Sequence, residues 1–340
     1  MVVLEAVACT LYLARWFSSA WHSSRWLNII GLCPMPRSFD ILVAGEINPD
    51  LILTGDVHPE FGQVEKLVAS YTLAVGSSSG IFACGAARLG LRVGFIGVCG
   101  DDIFGRFMLD EMQKRNVDIS NVLIRPDGQT GLSVILNQGM DRAILTYPGL
   151  IGALQASDIT DAPLSKARHL HVASYFLQTQ LQPDLPGLFQ RAHSHGVTTS
   201  LDTNYDPSEK WMGFDELLSV TDIFLPNKTE ALSITESIDI ESAAKQLADK
   251  SQLVAIKLGA DGAALRTKDK MIFAPSIPVN IVDAIGAGDA FDAGFLYGYL
   301  NQWDLEKSLQ FATVCGALST QAAGGIAAQT TLDQALAFLK

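Results

Sequence analysis

Short apolar runs typical of buried strands alternate with amphipathic helical segments through the second half of the chain. The runs predicted as strands are residues 170–173, 198–201, 223–225 and 253–257. The segments predicted as helices lie near residues 185–195, 214–218, 240–249, 305–317 and 332–339. Strands that alternate with helices pair in parallel, because each helix carries the chain back across the sheet. The pattern therefore predicts an α/β fold in which helices cover both faces of a mostly parallel sheet.

The first half of the chain mixes buried and alternating strand patterns. Those predicted strands are residues 41–44, 52–54, 67–74 and 93–98. A helix is predicted over residues 81–89, because Gly90 follows it as a typical C-terminal glycine, and another over residues 104–115. Residues 131–137 and 143–147 flank a polar turn, which predicts a hairpin. We expect one domain with an early β excursion outside the main sheet.

Residues 1–38 differ in composition from the rest of the chain. They hold three of the five tryptophans. Their longest apolar run, residues 6–14, is far shorter than the ~20 residues that span a bilayer, and no basic segment precedes it as in a secretory signal. We expect a dispensable N-terminal extension, with Met35 as the native start of a domain over residues 39–340. Mass spectrometry of the native N-terminus tests this, and a mature chain that begins at Met1 would contradict it.

The balance of charge limits the partners of the chain. Its net charge of −12 argues against nucleic acid or an anionic membrane as the main partner, because both require a basic surface. An acidic chain can still bind a nucleotide if positive potential or a divalent metal is concentrated locally. The five cysteines are scattered singly, which favours a reducing, cytoplasmic location over a disulfide scaffold or a zinc site.

Two pairs of histidines are spaced two residues apart, His169 with His171 and His193 with His195. No third candidate ligand lies near either pair in the sequence. We therefore expect these histidines to be surface or strand-edge residues rather than metal ligands.

A glycine-rich segment near the C-terminus carries the strongest functional signal. Gly286, Ala287 and Gly288 are followed at once by Asp289 and then by a small, apolar run predicted as a buried helix. Small residues allow a ligand close to the backbone, and the free N–H groups of a helix start bind anions. A carboxylate there indicates a general base, which takes a proton from a hydroxyl while the N–H groups hold a phosphate. The alternative is a tight turn in which Asp289 caps the helix.

Polar residues follow several predicted strands, where ligands of open α/β sheets bind. Asn48 and Asp50 come after the first strand and could bind the hydroxyls of a polyol, and the alternative is an Asx-Pro turn. Residues 76–80 form a small-residue loop that would let a sugar approach the backbone, or only a flexible turn. Residues 202–207 carry further groups able to bind hydroxyls or phosphate, and are otherwise a turn ended by proline.

Two more clusters follow later strands. Asn227 and Glu230 share a face if a helix starts there, and Glu230 could then hold Mg²⁺ through water. The same two residues could form a capping box, and both roles can hold together. Lys257 ends the next strand, and Gly259 and Gly262 make a compact turn beside which a nucleotide could lie.

The order of these motifs resembles that of the ribokinase, or PfkB-type, carbohydrate kinases from about residue 40 to the C-terminus. The family signature Asp-x-x-Gly-Ala-Gly-Asp matches residues 283–289, and the Gly-rich first signature matches residues 76–90. Shorter matches are Gly100-Asp101-Asp102 with Gly105, Thr130-Gly131, and Asn227 with Glu230. The resemblance implies a three-layer α/β/α domain with a small β-sheet lid, built from segments near residues 50–75 and 120–147.

The resemblance also implies ATP-dependent phosphorylation of a sugar or a similar hydroxyl compound. Asp289 would be the base, and the anion hole would be formed by Gly286, Ala287 and Gly288. The residues that would face the acceptor are Asn48, Asp50, Gly76 and Ser77. Those that would bind the ATP cofactor are Asn227, Lys257, Gly259 and Gly262. Glu230 would bind Mg²⁺, and the lid would pair two copies into a homodimer.

Departures from the family pattern leave parts of the function open. Ala284 and Ile285 stand where many relatives have threonines, one of which helps form a potassium site, so activation by K⁺ is open. Ser77 and Ile81 stand where glycine and asparagine are frequent, so contacts with the acceptor differ. Asp206 stands where several sugar kinases have arginine, which weakens the prediction of a phosphorylated or carboxylated acceptor.

Two alternatives to a sugar kinase remain at this point. One is a nucleoside kinase on the same scaffold, and the other is a non-catalytic homologue that senses a sugar or a nucleotide. The intact segment from Gly286 to Asp289 counts against a non-catalytic role. A dinucleotide-dependent oxidoreductase is disfavoured, because no Gly-x-Gly-x-x-Gly follows the first strand.

Overall fold

A large mixed sheet forms the centre of the fold. The structure, a computed structural model, describes residues 37–138 and 141–339, and residues 1–36 of the predicted extension lie outside that part. The strands of all its sheets together are β1 (Phe39–Ala44), β2 (Pro49–Thr54), β3 (Ser70–Val75), β4 (Val93–Ile96), β5 (Val98–Gly100), β6 (Val117–Asp118), β7 (Leu123–Arg125), β8 (Leu132–Gln138), β9 (Asp141–Tyr147), β10 (Ala167–Val172), β11 (Thr198–Leu201), β12 (Ile223–Phe224), β13 (Leu253–Lys257), β14 (Ala263–Thr267) and β15 (Met271–Ala274). The large sheet has the order β15-β14-β13-β12-β11-β10-β1-β4-β6. From β13 to β6 all neighbours pair in parallel, while β14 and β15 form an antiparallel edge.

Helices cover both faces of this sheet. They are α1 (Ser78–Arg88), α2 (Ile103–Lys114), α3 (Asp161–Leu164), α4 (Leu185–Ser194), α5 (Phe214–Ser219), α6 (Lys228–Thr235), α7 (Ile240–Ala248), α8 (Ala287–Leu300), α9 (Leu305–Ser319) and α10 (Leu332–Leu336). All six residues of β1 are buried. Ile41 and Val43 pack into the core that contains α1, α2, α8 and α9, whereas Leu42 and Ala44 pack into the core that contains α4, α5 and α7. This alternation follows from the two-residue period of a strand and makes three layers.

A second, smaller sheet lies outside the main one. It has the order β3-β2-β8-β9, and β5 pairs separately with β7. Every residue of β9 is exposed, as expected of an edge strand. The predicted α/β class with a separate small sheet is thus confirmed. In the described ranges 37–138 and 141–339, no helix is long and apolar enough to cross a membrane.

Some element boundaries differ from the predictions. The strand predicted over residues 93–98 is divided, because β4 pairs with β1 and β6 whereas β5 turns away to pair with β7. The last helix ends at Leu336 rather than at residue 339. The antiparallel strands β14 and β15 were not predicted, since a short hairpin at a sheet edge interrupts the regular alternation of strands and helices.

The prediction that His169 and His171 lie at the surface or at a strand edge is wrong. Both are on β10 in the middle of the sheet and have no exposed surface. Hydroxyl groups of the neighbouring strand β11 bind three of the four ring nitrogens, because His169 Nδ1 is 2.7 Å from Thr198 Oγ1, His169 Nε2 is 2.7 Å from Ser200 Oγ, and His171 Nδ1 is 2.7 Å from Ser200 Oγ. The fourth, His171 Nε2, is buried and has no hydrogen-bond partner within residues 37–138 and 141–339. Burial lowers the pKa of each imidazole to about 3, so both are neutral.

Candidate active site

The start of α8 is an open amide site. Gly286 precedes the helix with φ of +76°, a left-handed conformation that glycine adopts at no steric cost. Among the residues that the structure describes, no side chain caps this helix start. Ala287 N donates to the Ala284 carbonyl oxygen at 3.3 Å, and the N–H groups of Gly288 and Asp289 are available to an anion. We call residues 286–288 the anion cradle, and Asp289 lies directly beside it in the first turn.

Asp289 is half-buried, and its side chain contacts an alcohol. The hydroxyl of Ser78, the first residue of α1, donates a hydrogen bond to Asp289 Oδ1. Burial and the negative charge of Asp202 raise the pKa of Asp289 to about 8, while Ser78 and Lys257 act in the opposite direction. A carboxylate with a pKa near neutrality is well matched to proton transfer. Ser78 was not among the predicted site residues, because nothing in the run of three serines distinguishes it from its neighbours.

Asn48 and Asp50 lie where the chain passes from β1 into the small sheet. Asn48 Nδ2 donates a hydrogen bond to Ser133 Oγ at 3.3 Å. The side chains of Asn48, Asp50 and Ser133 are all buried. Burial raises the pKa of Asp50 to about 7, although Arg142 of β9 opposes this shift. A carboxyl group near half-protonation can both donate to and accept from the hydroxyls of a ligand.

Gly76 allows the backbone to approach Asp50 closely. A Cβ atom at this position would lie 2.2 Å from Asp50 Oδ1 and 2.8 Å from the Asn48 carbonyl oxygen, so no larger residue fits. The hydroxyl of Ser77 donates to the Glu46 carbonyl oxygen at 2.8 Å and accepts from Gly80 N at 2.8 Å. The Ser77 side chain therefore caps α1, and its hydroxyl is engaged within the protein.

Glu46 is a buried carboxylate that was not predicted as a site residue. It accepts hydrogen bonds from Ser79 Oγ at 2.6 Å and from Ser174 Oγ at 2.8 Å. It raises the pKa of both Asp50 and Asp289, so it lies within electrostatic reach of both. Its position directly after the first strand, in the same polar cluster as Asn48, is the signal that could have identified it.

A cavity of about 580 Å³ adjoins the anion cradle. Lys257, Gly259, Gly262, Ala287 and Gly288 line it. The remaining wall is largely apolar and includes Pro278, Val279, Ile281 and Phe291. A concave apolar space with a cation and free N–H groups at one end suits a ligand that has a flat apolar part and an anionic end.

Asn227 and Glu230 do not line this cavity but lie close to it. They form a capping box at the start of α6, in which Glu230 N donates to Asn227 Oδ1 at 3.0 Å and Asn227 N donates to Glu230 Oε2 at 2.8 Å. A β-bridge joins Asn227 to Lys257, which does line the cavity. Glu230 is 3% exposed, and burial, followed by the charge of Asp202, raises its pKa to about 7.

The fold is that of the ribokinase-like class of proteins. Residues 38–332 match the family described as pfkB family carbohydrate kinase. The chain belongs to this family, as the resemblance predicted. It is a carbohydrate phosphotransferase, in agreement with the kinase names of its relatives.

Particular relatives illustrate the similarity. The chain is 32% identical to a protein named ATP-dependent ribose-1-phosphate kinase from Halopiger xanaduensis, over 88% of this chain and 97% of that protein. It is 28% identical to a 5-dehydro-2-deoxygluconokinase from Geobacillus thermodenitrificans, over 89% of this chain and 94% of that protein. The structure of Arabidopsis thaliana ribokinase complexed with ribose and ATP is similar in fold, with a TM-score of 0.79, 23% identity and coverage of 89% of this chain and 99% of that one.

Proposed function

We propose that this protein transfers the γ-phosphoryl group of ATP to a hydroxyl of a small carbohydrate, with Asp289 as the general base. The observation that carries the proposal is the position of Asp289 beside an uncapped helix start. Its carboxylate already accepts a hydrogen bond from the hydroxyl of Ser78, which is the contact that a reacting hydroxyl requires. Phosphoryl transfer depends mainly on positioning and charge neutralisation, and both are available here.

The anion cradle supplies the electrostatic part of the proposed reaction. The N–H groups of residues 286–288 would hold the transferred group as its charge develops. Asp289 would take the proton of the acceptor hydroxyl as that oxygen attacks in line. The small sheet would cover the acceptor and exclude water, which limits wasteful hydrolysis of ATP.

ATP would occupy the cavity beside the cradle, between Lys257 and the turn that contains Gly259 and Gly262. Asn227 would bind the phosphates of ATP, and Glu230 would bind Mg²⁺. A buried carboxylate at this edge suits Mg²⁺, which prefers oxygen ligands and is often reached through water. When bound, the metal would offset part of the phosphate charge.

The proposed acceptor lies between Asn48, Asp50 and Gly76, with the backbone of Ser77 at its edge. The names of the relatives favour a sugar or a sugar derivative over a nucleoside. A panel of ribose, ribose 1-phosphate, fructose, 5-dehydro-2-deoxygluconate and adenosine separates these acceptors. We expect at least one sugar to stimulate ADP release by about tenfold or more in the presence of Mg²⁺, with and without added K⁺. Stimulation by adenosine alone would indicate a nucleoside kinase, and no stimulation at all would favour a sensing role.

Gly76→Ala is expected to raise the KM for the acceptor by about tenfold or more. The added Cβ would displace Asp50 from its position, and a shift of about 1 Å in a positioning group can be that costly. Affinity for ADP, measured by calorimetry, should stay within about twofold of the wild-type value, because Gly76 does not line the nucleotide cavity. Gly187→Ala is the matched control, since nothing lies within 4 Å of a Cβ there. An unchanged acceptor KM in Gly76→Ala would remove Asp50 from the acceptor site.

We also propose a cytoplasmic location and a homodimer. A cytoplasmic location rests on the scattered cysteines, of which Cys84, Cys99 and Cys315 are buried free thiols. A homodimer through the small sheet rests on the resemblance and on the exposed strand β9. Cell fractionation and light scattering test these two statements.

A further inference from the structure

A buried group of charges lies beneath the anion cradle. Lys257 Nζ is 2.8 Å from Asp202 Oδ2 and 3.1 Å from Asp292 Oδ2. The exposed fractions of these side chains are 12% for Lys257, 2% for Asp202 and 1% for Asp292. A lysine ammonium held this deeply stays charged only if carboxylates pair with it.

Asp292 has no role in the proposed transfer, and its burial is costly. It follows Asp289 by three residues on α8, so the two carboxyl groups lie on the same side of the helix. Its Oδ1 atom is buried and has no hydrogen-bond partner within residues 37–138 and 141–339. Asp202 alone would neutralise Lys257, so a second buried carboxyl group requires an explanation.

The pKa values of the two carboxyl groups shift in opposite directions. Burial raises the pKa of Asp292 well above its ordinary value, and the negative charge of Asp202 adds to this, although Lys257 acts in the opposite direction. Burial also acts to raise the pKa of Asp202, but the charge of Lys257 and several hydrogen bonds hold it below its ordinary value. These opposite shifts favour the proton on Asp292 and the negative charge on Asp202, which pairs with the ammonium group of Lys257.

The ammonium group of Lys257 reaches the anion cradle. A Cβ atom added to Gly288 would lie 3.6 Å from Lys257 Nζ and 3.5 Å from Cδ. Lys257, Ala287 and Gly288 also line the same cavity. An ammonium group has three donors, and the two carboxyl groups occupy two of them. The third is therefore available to an anion at the cradle.

We infer that Asp292 is a positioning residue, which together with Asp202 fixes the ammonium group of Lys257 against the anion cradle so that it faces the phosphoryl group during transfer. A lysine side chain has four flexible bonds, and a cation held in place stabilises developing charge better than a mobile one. This inference rests on the proposed function. It adds a role for Asp292 and assigns the Lys257 charge to the transferred group rather than to the rest of the nucleotide.

A double-mutant cycle tests whether Asp292 acts through Lys257. We expect Lys257→Met to lower kcat by about 10² and Asp292→Ala, which removes the acceptor for Lys257, to lower it by about tenfold, with the KM for ATP within about threefold of wild type. The double variant should be no slower than Lys257→Met, because Asp292 has nothing left to position. Multiplied losses in the double variant, or a wild-type kcat in Asp292→Ala, would overturn the inference. Lys257→Gln repeats the cycle if Lys257→Met does not fold, as judged by thermal unfolding.

Binding provides a readout that needs no acceptor and no turnover. Calorimetry with Mg²⁺ compares the affinity for ADP with that for a non-hydrolysable ATP analogue, whose γ-phosphoryl group reaches the cradle. In Lys257→Met and Asp292→Ala we expect the preference for the analogue over ADP to fall by about fivefold or more, with ADP affinity within about twofold of wild type. Lys250→Met is the matched control, because that amine pairs with Asp215 at the surface.

The two hypotheses fail in different ways. Normal turnover in Asp289→Asn would remove the proposed base, while the binding preference would still depend on Lys257 and Asp292. An unchanged preference in Asp292→Ala would remove the positioning role and leave the proposed base intact.

Discussion

Asp289→Asn is expected to lower kcat by about 10²–10⁴, the usual contribution of a general base. Asparagine has nearly the shape of aspartate and can still accept the hydrogen bond from Ser78, so the site should keep its geometry. What it loses is the ability to take the proton of the acceptor hydroxyl. The measurement is steady-state kinetics with the best acceptor of the panel, together with calorimetric affinity for ADP, which should change little.

The control for this variant is Glu306→Gln. Glu306 also lies in the first turn of a helix, α9, and is exposed to solvent. It should retain wild-type kinetics, and both variants should unfold within a few degrees of the wild type. Near-normal turnover in Asp289→Asn with a verified acceptor would exclude Asp289 as the base.

The pH dependence of kcat/KM is expected to follow the protonation of Asp289. Burial and the charge of Asp202 raise its pKa to about 8 in the free protein, and kcat/KM reports the free enzyme. Because the base acts only when deprotonated, kcat/KM should rise by about tenfold per pH unit below pH 8 and level off above it. In Asp289→Asn this limb should disappear. A wild-type profile that is flat between pH 6 and pH 8 would show that the essential base titrates elsewhere.

The same shift predicts how stability depends on pH. The folded-state pKa of Asp289 lies above the ordinary value of 3.8, so the unfolded chain releases this proton at lower pH than the folded protein does. The stabilisation from the protonated group is fully present below about pH 4 and is lost as pH rises to about 8. Asp50, with a pKa of about 7, acts in the same direction. Denaturant unfolding at pH 5 and pH 8 should therefore show a smaller loss of stability in Asp289→Asn than in the wild type.

The sequence predicted the fold well where the local pattern and the tertiary environment agree. Gly90 marks the end of α1, and the alternation of strands and helices corresponds to the parallel part of the sheet. The pattern failed for His169 and His171, because polarity suggested exposure whereas both rings are buried and form hydrogen bonds with hydroxyl groups on the neighbouring strand β11. Those hydrogen bonds depend on which strands become neighbours in the sheet. The spacing of residues along the chain does not reveal this.

The sequence predicted those parts of the candidate site that are continuous along the chain, and missed contacts between distant segments. Asp289 and its glycines form one continuous segment, so their association is visible in the sequence. The contact between Ser78 and Asp289 joins residues 211 positions apart, and the one between Lys257 and Asp292 joins residues 35 apart. The first contact arises because α1 meets α8, and the second because the end of β13 meets α8. Only the three-dimensional arrangement distinguishes Ser78 from Ser77, whose hydroxyl caps the helix instead.

The hydrogen bonds of Glu46 have a consequence for how acceptor choice can evolve. Glu46 ties the loop after β1 to Ser79 and Ser174, and Asp50 fills the space above Gly76. A substitution at Glu46, Asp50 or Gly76 disturbs several partners at once, so this part of the proposed acceptor site tolerates little variation. Ser133 and its neighbour Thr146, whose hydroxyls are 3.1 Å apart on the small sheet, have fewer such ties. Divergence toward new sugars, in nature or in the laboratory, should therefore begin at Ser133 and Thr146 on the small sheet, while Glu46, Asp50 and Gly76 stay unchanged.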